Sequence, residues 1–153
     1  VKSLTVYQQE TRLHVLEGER NGETILFLHP QGGTSSIWND MLPYFSEDFH
    51  IICMDLRGHG QSEHAATGYD IGTQCEDIRA VLDHTGVERA HLIGNSLGGD
   101  RAKARCEALS HPKGYEASAK QNGSHSKFQA LDADRCAASN KHGNIGVSKR
   151  LGA

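Results

Sequence analysis

Three short apolar runs constrain this chain more than any other feature. Thr24-Ile-Leu-Phe-Leu-His29, His50-Ile-Ile-Cys-Met-Asp55 and Ala90-His-Leu-Ile-Gly94 are continuous rather than alternating, as strands buried on both faces are. Between the second and third runs, Asp70 heads a stretch whose apolar residues Ile71, Cys75, Ile78, Val81 and Leu82 fall at helical spacing, ending near Gly86. Between the first and second, Ser35 or Ser36 stands where it could cap a helix carrying Ile37, Trp38, Met41, Leu42 and Phe45 on one side. Residues 4–8 and 13–17 read as two earlier strands, and Glu19-Arg20-Asn21-Gly22 as a turn. Buried strands alternating with amphipathic helices imply βαβ crossovers, and hence an α/β fold on a mostly parallel sheet.

Ligand chemistry in such sheets gathers at the carboxyl ends of the strands. The segments that follow those ends are 29–33, 55–62 and 95–99, all polar or rich in glycine. The last of them completes Gly94-Asn95-Ser96-Leu97-Gly98, a G-x-S-x-G pattern entered from a buried strand and followed by Gly99. That context is the one a nucleophile elbow requires. The serine must occupy a strained strand-to-helix turn, and a Cβ two residues to either side would collide with it. The helix that begins there presents backbone N–H groups and a favourable dipole to a developing oxyanion.

Taken together, His29-Pro-Gln-Gly-Gly33, Asp55-Leu-Arg-Gly-His-Gly-Gln-Ser62 and Gly94-Asn-Ser-Leu-Gly-Gly99 resemble the α/β-hydrolase superfamily, in the neighbourhood of esterases, lactonases and carbon–carbon-bond hydrolases. The order and spacing of the three motifs match, over residues from about 3 to 100. The resemblance implies Ser96 as catalytic nucleophile, with the backbone N–H groups of Gln31 and Leu97 as the oxyanion hole. Gly32, Gly33, Gly94, Gly98 and Gly99 then shape the loop and elbow. Pro30 stands where the family usually has glycine, a position not expected to donate. His29, His59 and Arg57 fall in family motifs as loop-shaping residues rather than as the catalytic base, and the Trp38–Met41 side reads as core. An aspartate at the nucleophile position would imply a dehalogenase or epoxide hydrolase. Serine implies acyl transfer on a small ester, lactone or related carbonyl substrate through an acyl-enzyme, without a cofactor.

The character of the chain changes near residue 100. Residues 1–100 carry 15 acidic and 6 basic side chains, a balance of −9, whereas residues 101–153 carry 4 and 10, a balance of +6. Large apolar residues number 31 in the first stretch and 7 in the second, too few to offset a backbone ordering cost of about 1–2 kcal/mol per residue. After the elbow, Arg101, Lys103 and Arg105 alternate with period 2 where the family buries a helix. The expected organisation is therefore the N-terminal half of an α/β-hydrolase domain (1–100) and an atypical basic tail (101–153), disordered or read out of frame. The sheet would then be truncated after the elbow, with its fifth strand an exposed edge.

The family's triad acid and base follow the serine on later strands. Asp132 or Asp134 with His142 has the right order but no strands to position it, and His111 and His125 fare no better. A chain without those partners is expected to be inactive or nearly so. A reading from another class is a non-catalytic α/β fragment with a basic tail that acts, if at all, through binding. The tail lacks interleaved aromatics, so nucleic acid is not an expected partner. The four cysteines, Cys53, Cys75, Cys106 and Cys136, form no C-x-x-C pair and read as reduced thiols, and the histidines show no metal-ligand spacing. With no apolar stretch near ~20 residues, the expectation is a cytoplasmic protein with no membrane partner.

Overall fold

The computed structural model describes residues 1–108 and 129–131, and of residues 103, 106–108 and 129–131 the backbone alone. Eight elements follow in order: β1 (Lys2–Gln8), β2 (Thr11–Glu17), β3 (Thr24–Leu28), β4 (His50–Met54), α1 (Ile71–His84), β5 (Ala90–Gly94), α2 (Leu97–Ala108) and β6 (Gln129–Leu131). They build one mixed sheet in the order β1-β2-β4-β3-β5-β6, with β4, β3 and β5 parallel at its centre. The three apolar runs are those central strands. Every residue of β3 and β4 is buried, because each strand has a neighbour on both sides and side chains packed over both faces.

Alternation along the strands sorts the core into two layers. Leu26, Leu28, Ile52, Met54 and Leu92 point to one face, where Ile78, Val81 and Leu82 of α1 and Ala102 of α2 cover them. Ile25, Phe27, Ile51, Cys53 and Ile93 point to the other, under Trp38 and Phe45. Ile78 and Val81 are fully buried, and each contributes about 1.5–3 kcal/mol by leaving water. Asp70 caps α1 as expected, accepting from the Thr73 amide at 2.9 Å and from its hydroxyl at 2.7 Å. Ile71 stays 49% exposed, so the buried stripe starts at Cys75.

Three expectations are corrected. Residues 35–45 form two short 3-10 turns, Ser35–Trp38 and Leu42–Tyr44, rather than one helix. A continuous helix would drive the Pro43 ring into the carbonyl four residues back. The cap is Thr34, because the Ser35 amide donates to Asp55 Oδ1 at 2.7 Å, and Ile37 faces outward while Trp38 is fully buried. Second, β5 is no exposed edge, since β6 pairs with it antiparallel through Leu92–Leu131, Ile93–Ala130 and Gly94–Gln129. Three residues are too few for a strand pattern to register in a sequence.

The third correction concerns α2, which continues across residue 100 to Ala108. Its Arg101 and Arg105 are both buried. The Arg101 guanidinium donates through Nε to Gln74 Oε1 of α1 at 2.8 Å, and the Gln74 amide donates onward to the Tyr69 carbonyl at 2.9 Å. A long-range partner therefore accommodates a charge that the local pattern marks as misplaced. Among the described residues, no helix is long and apolar enough to cross a membrane.

Candidate active site

The register of the parallel strands sets the site. Leu28 pairs with Met54 on one side and Gly94 on the other, so the segments that follow leave the sheet at one edge. Two hydrogen bonds then tie the exits together. The Asn95 amide donates to the Leu28 carbonyl at 3.1 Å, and the Leu56 amide donates to His29 Nε2 at 2.9 Å.

Ser96 stands at the turn from β5 into α2 with φ at +50°, a left-handed conformation that costs a side-chain-bearing residue about 1–2 kcal/mol. It is exposed, and its hydroxyl has no hydrogen-bond partner among the described residues. Its backbone is held by Asp100 N–H donating to the Ser96 carbonyl and Gly98 N–H donating to that of Asn95, both at 3.0 Å. Glycine is required on either side of this turn. A Cβ on Gly94 would strike the Gly98 and Gly99 backbone, and one on Gly98 would strike the carbonyls of Leu28 and His29. The close approach of Gly98 seats the first turn of α2 against the end of β3, and Gly99 is buried there with it.

The loop after β3 is equally specified. The Gly33 amide donates to the Pro30 carbonyl at 3.0 Å, closing a turn in which Gly32 takes the third position at φ +73°. That conformation demands glycine. Gln31 is exposed between them, and neither its amide nor that of Leu97 has an acceptor among the described residues. The two N–H groups assigned from sequence are thus both unspent, on segments that Gly98 holds in contact.

His29 is fully buried. Accepting from Leu56 at Nε2 leaves its proton on Nδ1, which donates to the Pro30 carbonyl at 2.7 Å. Burial lowers its pKa, outweighing the opposite pull of the Pro30 carbonyl, so the ring is neutral and both nitrogens are engaged. The His59 ring lies 5.1 Å away and is anchored by Nδ1 donating to the Arg57 carbonyl at 3.0 Å. Both histidines brace the loops, in keeping with their motif positions. Arg57 does the same on a larger scale. Its Nε and Nη2 clasp the Asp77 carboxylate at 3.0 and 2.7 Å, while Nη1 donates to Thr11 Oγ1 at 2.8 Å and Nη2 to Gln8 Oε1 at 3.1 Å. Trp38 packs on Phe27 at 5.1 Å between ring centroids, inside the core.

Asp55 is a hub to which the sequence, marking it as a strand end and the head of the 55–62 motif, assigns no partners. Its carboxylate accepts from the amides of Ser35 (2.7 Å) and Gln61 (2.9 Å) and from His14 Nδ1 (2.9 Å). Burial alone would raise its pKa, but those donors outweigh it and hold the carboxyl below its ordinary range. Nothing in the local pattern around His14, 41 residues earlier, signals that contact. Cys53 and Cys75 are free and buried, and burial pushes the Cys53 thiol up to about 12, which makes it inert at neutral pH. Among the described residues no group of three or more His, Cys, Asp or Glu could hold a metal ion. Asp132, Asp134, His111, His125, His142 and Cys136 lie outside the described residues, as does the Cys106 side chain.

A pH dependence follows. Below the ordinary histidine value of 6.5 the unfolded chain takes a proton that folded His29 refuses, so stability falls as pH drops through that value. A second loss follows below the ordinary values of 4.5 for Glu17 and 3.8 for Asp55, as their lowered folded pKa values are approached. Glu17 is held down against burial by Lys2, His50 and Arg20. Urea midpoints should therefore be highest above pH 7 and decline toward pH 4 in a series of unfolding curves.

A model of the alpha/beta hydrolase fold family matches residues 23–101. The chain is 34% identical over 82 residues to a soluble epoxide hydrolase of Corynebacterium sp. strain C12, covering 54% of this chain and 29% of that protein. It is 33% identical over 82 residues to the 3-oxoadipate enol-lactonase 2 of Acinetobacter baylyi, covering 54% and 31%. Among solved structures, Est816, described as an N-acyl homoserine lactone degrading enzyme, superposes with a TM-score of 0.66 at 36% identity, over 73% of this chain and 42% of that one. The chain spans about a third of the length of these two curated relatives.

Proposed function

The chain belongs to the α/β-hydrolase fold family, and from that premise we propose that it carries the nucleophile-bearing half of a serine hydrolase acting on a small ester, lactone or related carbonyl compound. Ser96 Oγ attacks the carbonyl carbon, and the Gln31 and Leu97 amides receive the oxyanion. The leaving alcohol departs, and water later hydrolyses the acyl-serine. The observation that carries this reading is Ser96 itself, an exposed serine at φ +50° between two glycines that no other residue could replace. The relatives include both an epoxide hydrolase and a lactonase. Serine rather than aspartate at position 96 favours the acyl chemistry.

The described residues place no free imidazole on the Ser96 hydroxyl. In this reading, therefore, the 153-residue chain acylates but turns over slowly. With neither base nor acid engaged on Ser96, as among the described residues, the oxyanion hole and binding retain only about 10³–10⁴-fold of the rate enhancement over water. The test is incubation with p-nitrophenyl acetate, an acid quench and peptide mapping. Tryptic peptide 90–101 contains Ser96 as its only serine. Acetyl on that peptide, absent from the Ser96→Ala chain, is the expected result. A folded sample whose peptide 90–101 stays unmodified would overturn the proposal.

A further inference from the structure

A second serine is wired to a histidine and a carboxylate far from Ser96. On the outer pair of strands, β1 and β2, Thr5 lies opposite His14 and Ser3 opposite Leu16, which sets Ser3 diagonally across from His14 on the same face. Ser3 Oγ lies 3.0 Å from His14 Nε2, and His14 Nδ1 lies 2.9 Å from Asp55 Oδ2. Ser3 is exposed, whereas the His14 side chain is 7% exposed and that of Asp55 2%.

The proton positions follow from the partners. Asp55 is held ionised by the amides of Ser35 and Gln61, so it can only accept, and Nδ1 must carry the imidazole proton. In the neutral ring Nε2 is then a lone pair, to which the Ser3 hydroxyl donates. This is the tautomer and order of contacts by which an imidazole draws a proton from an attacking hydroxyl, with a buried carboxylate steadying the imidazolium that forms. The His14 backbone is fixed as well, its amide donating to Ser62 Oγ at 2.8 Å and its carbonyl accepting from the Asp55 amide at 3.0 Å. The ring therefore cannot easily turn away.

We infer that Ser3, His14 and Asp55 form a second reactive-serine site that takes activated acyl or phosphonyl donors at the outer edge of the sheet. In the step, Ser3 Oγ bonds to the electrophilic carbon or phosphorus, its proton passes to His14 Nε2, and the leaving group departs with its electron pair. The phenolate or fluoride so released takes up that proton through solvent, which restores neutral His14 and leaves Ser3 as an ester. With no oxyanion hole assigned to Ser3, the site captures reactive donors rather than turning over ordinary esters. It is four strand spacings, about 19 Å, from the end of β5 that carries Ser96. The two reactivities are therefore independent.

The test uses the full chain with Ser96→Ala, treated with a fluorophosphonate and digested with trypsin. Ser3 is the only serine of peptide 3–12, whereas peptide 21–57 carries the exposed Ser36 and Ser46 as internal references. General-base assistance predicts labelling of peptide 3–12 about 10²-fold faster than of peptide 21–57. Labelling at the same rate in both peptides would overturn the proposal. Ser3→Cys gives a second reading that does not depend on the phosphonate. Its thiol should alkylate with iodoacetamide along a pH profile displaced well below the ordinary thiol value of about 8.5, as a thiolate–imidazolium pair does. An undisplaced profile counts against the relay. Ser3→Cys lies on an exposed edge-strand position, so the fold survives it.

Discussion

Arg57→Ala should cost the fold about 3–5 kcal/mol, the characteristic loss when one partner of a buried ion pair is removed. The guanidinium and the Asp77 carboxylate are 5% and 1% exposed, so truncating the arginine strands a charge that water cannot reach. The same side chain joins Gln8 of β1, Thr11 of β2 and the Thr67 carbonyl to α1, so four segments lose their common anchor. A single domain holds about 5–15 kcal/mol in total, and a loss of this size shows in urea unfolding as a large drop in midpoint at an unchanged slope. The double replacement Arg57→Met with Asp77→Leu should recover most of the stability, because neither charge then remains buried. A double variant no more stable than Arg57→Ala would show that the cost lies in lost packing rather than in the stranded carboxylate.

Gly98→Val should damage stability and reactivity together. Its Cβ would press on the carbonyls of Leu28 and His29, backbone atoms that cannot retreat without breaking the β3–β5 pairing and the Asn95–Leu28 hydrogen bond. Overpacking of this kind costs about 1–3 kcal/mol. The first turn of α2 would be levered away from the loop after β3, and with it the Leu97 amide. Loss of one oxyanion donor slows acyl transfer by about 10²–10³-fold, so phosphonylation of Ser96 should fall at least that far. Gly18→Ala is the control, since its Cβ would meet only ordinary contacts at 3.5 Å or more from Ile51. Equal losses in both variants would mean that the close approach at Gly98 does not set the site.

What was legible in the sequence was whatever depends on short spacing. The central strands announced themselves as continuous apolar runs because burial on both faces leaves no alternation, and α1 did so through the Asp70 cap and a 3.6-residue stripe. The turn at Ser96 was equally plain, because glycines two residues to either side answer a steric need that is itself local. What escaped was set by distant partners. Arg101 looks misplaced until Gln74 of α1 is brought beside it, and nothing near residue 14 foretells the Asp55 carboxylate. The helix expected after residue 35 failed for a local reason that was present all along: Pro43 interrupts the periodicity, and apolar spacing alone was the weaker signal.

Two kinds of residue therefore share the edge of the sheet. Asp55, Arg57 and His29 carry charges or polar rings that look catalytic in a list of side chains, yet the partners described above turn all three away from Ser96 and into holding loops. Among the described residues Ser96 and the Gln31 and Leu97 amides have no hydrogen-bond partner, and in the proposed reading they are the groups that meet the substrate.

The most direct test of that account is fluorophosphonate labelling of the unmodified chain beside its Ser96→Ala variant, read by peptide mapping. The account predicts phosphonate on peptide 90–101 of the unmodified chain and none on that peptide in the variant, whatever happens at peptide 3–12. A folded chain that leaves peptide 90–101 unlabelled would contradict it.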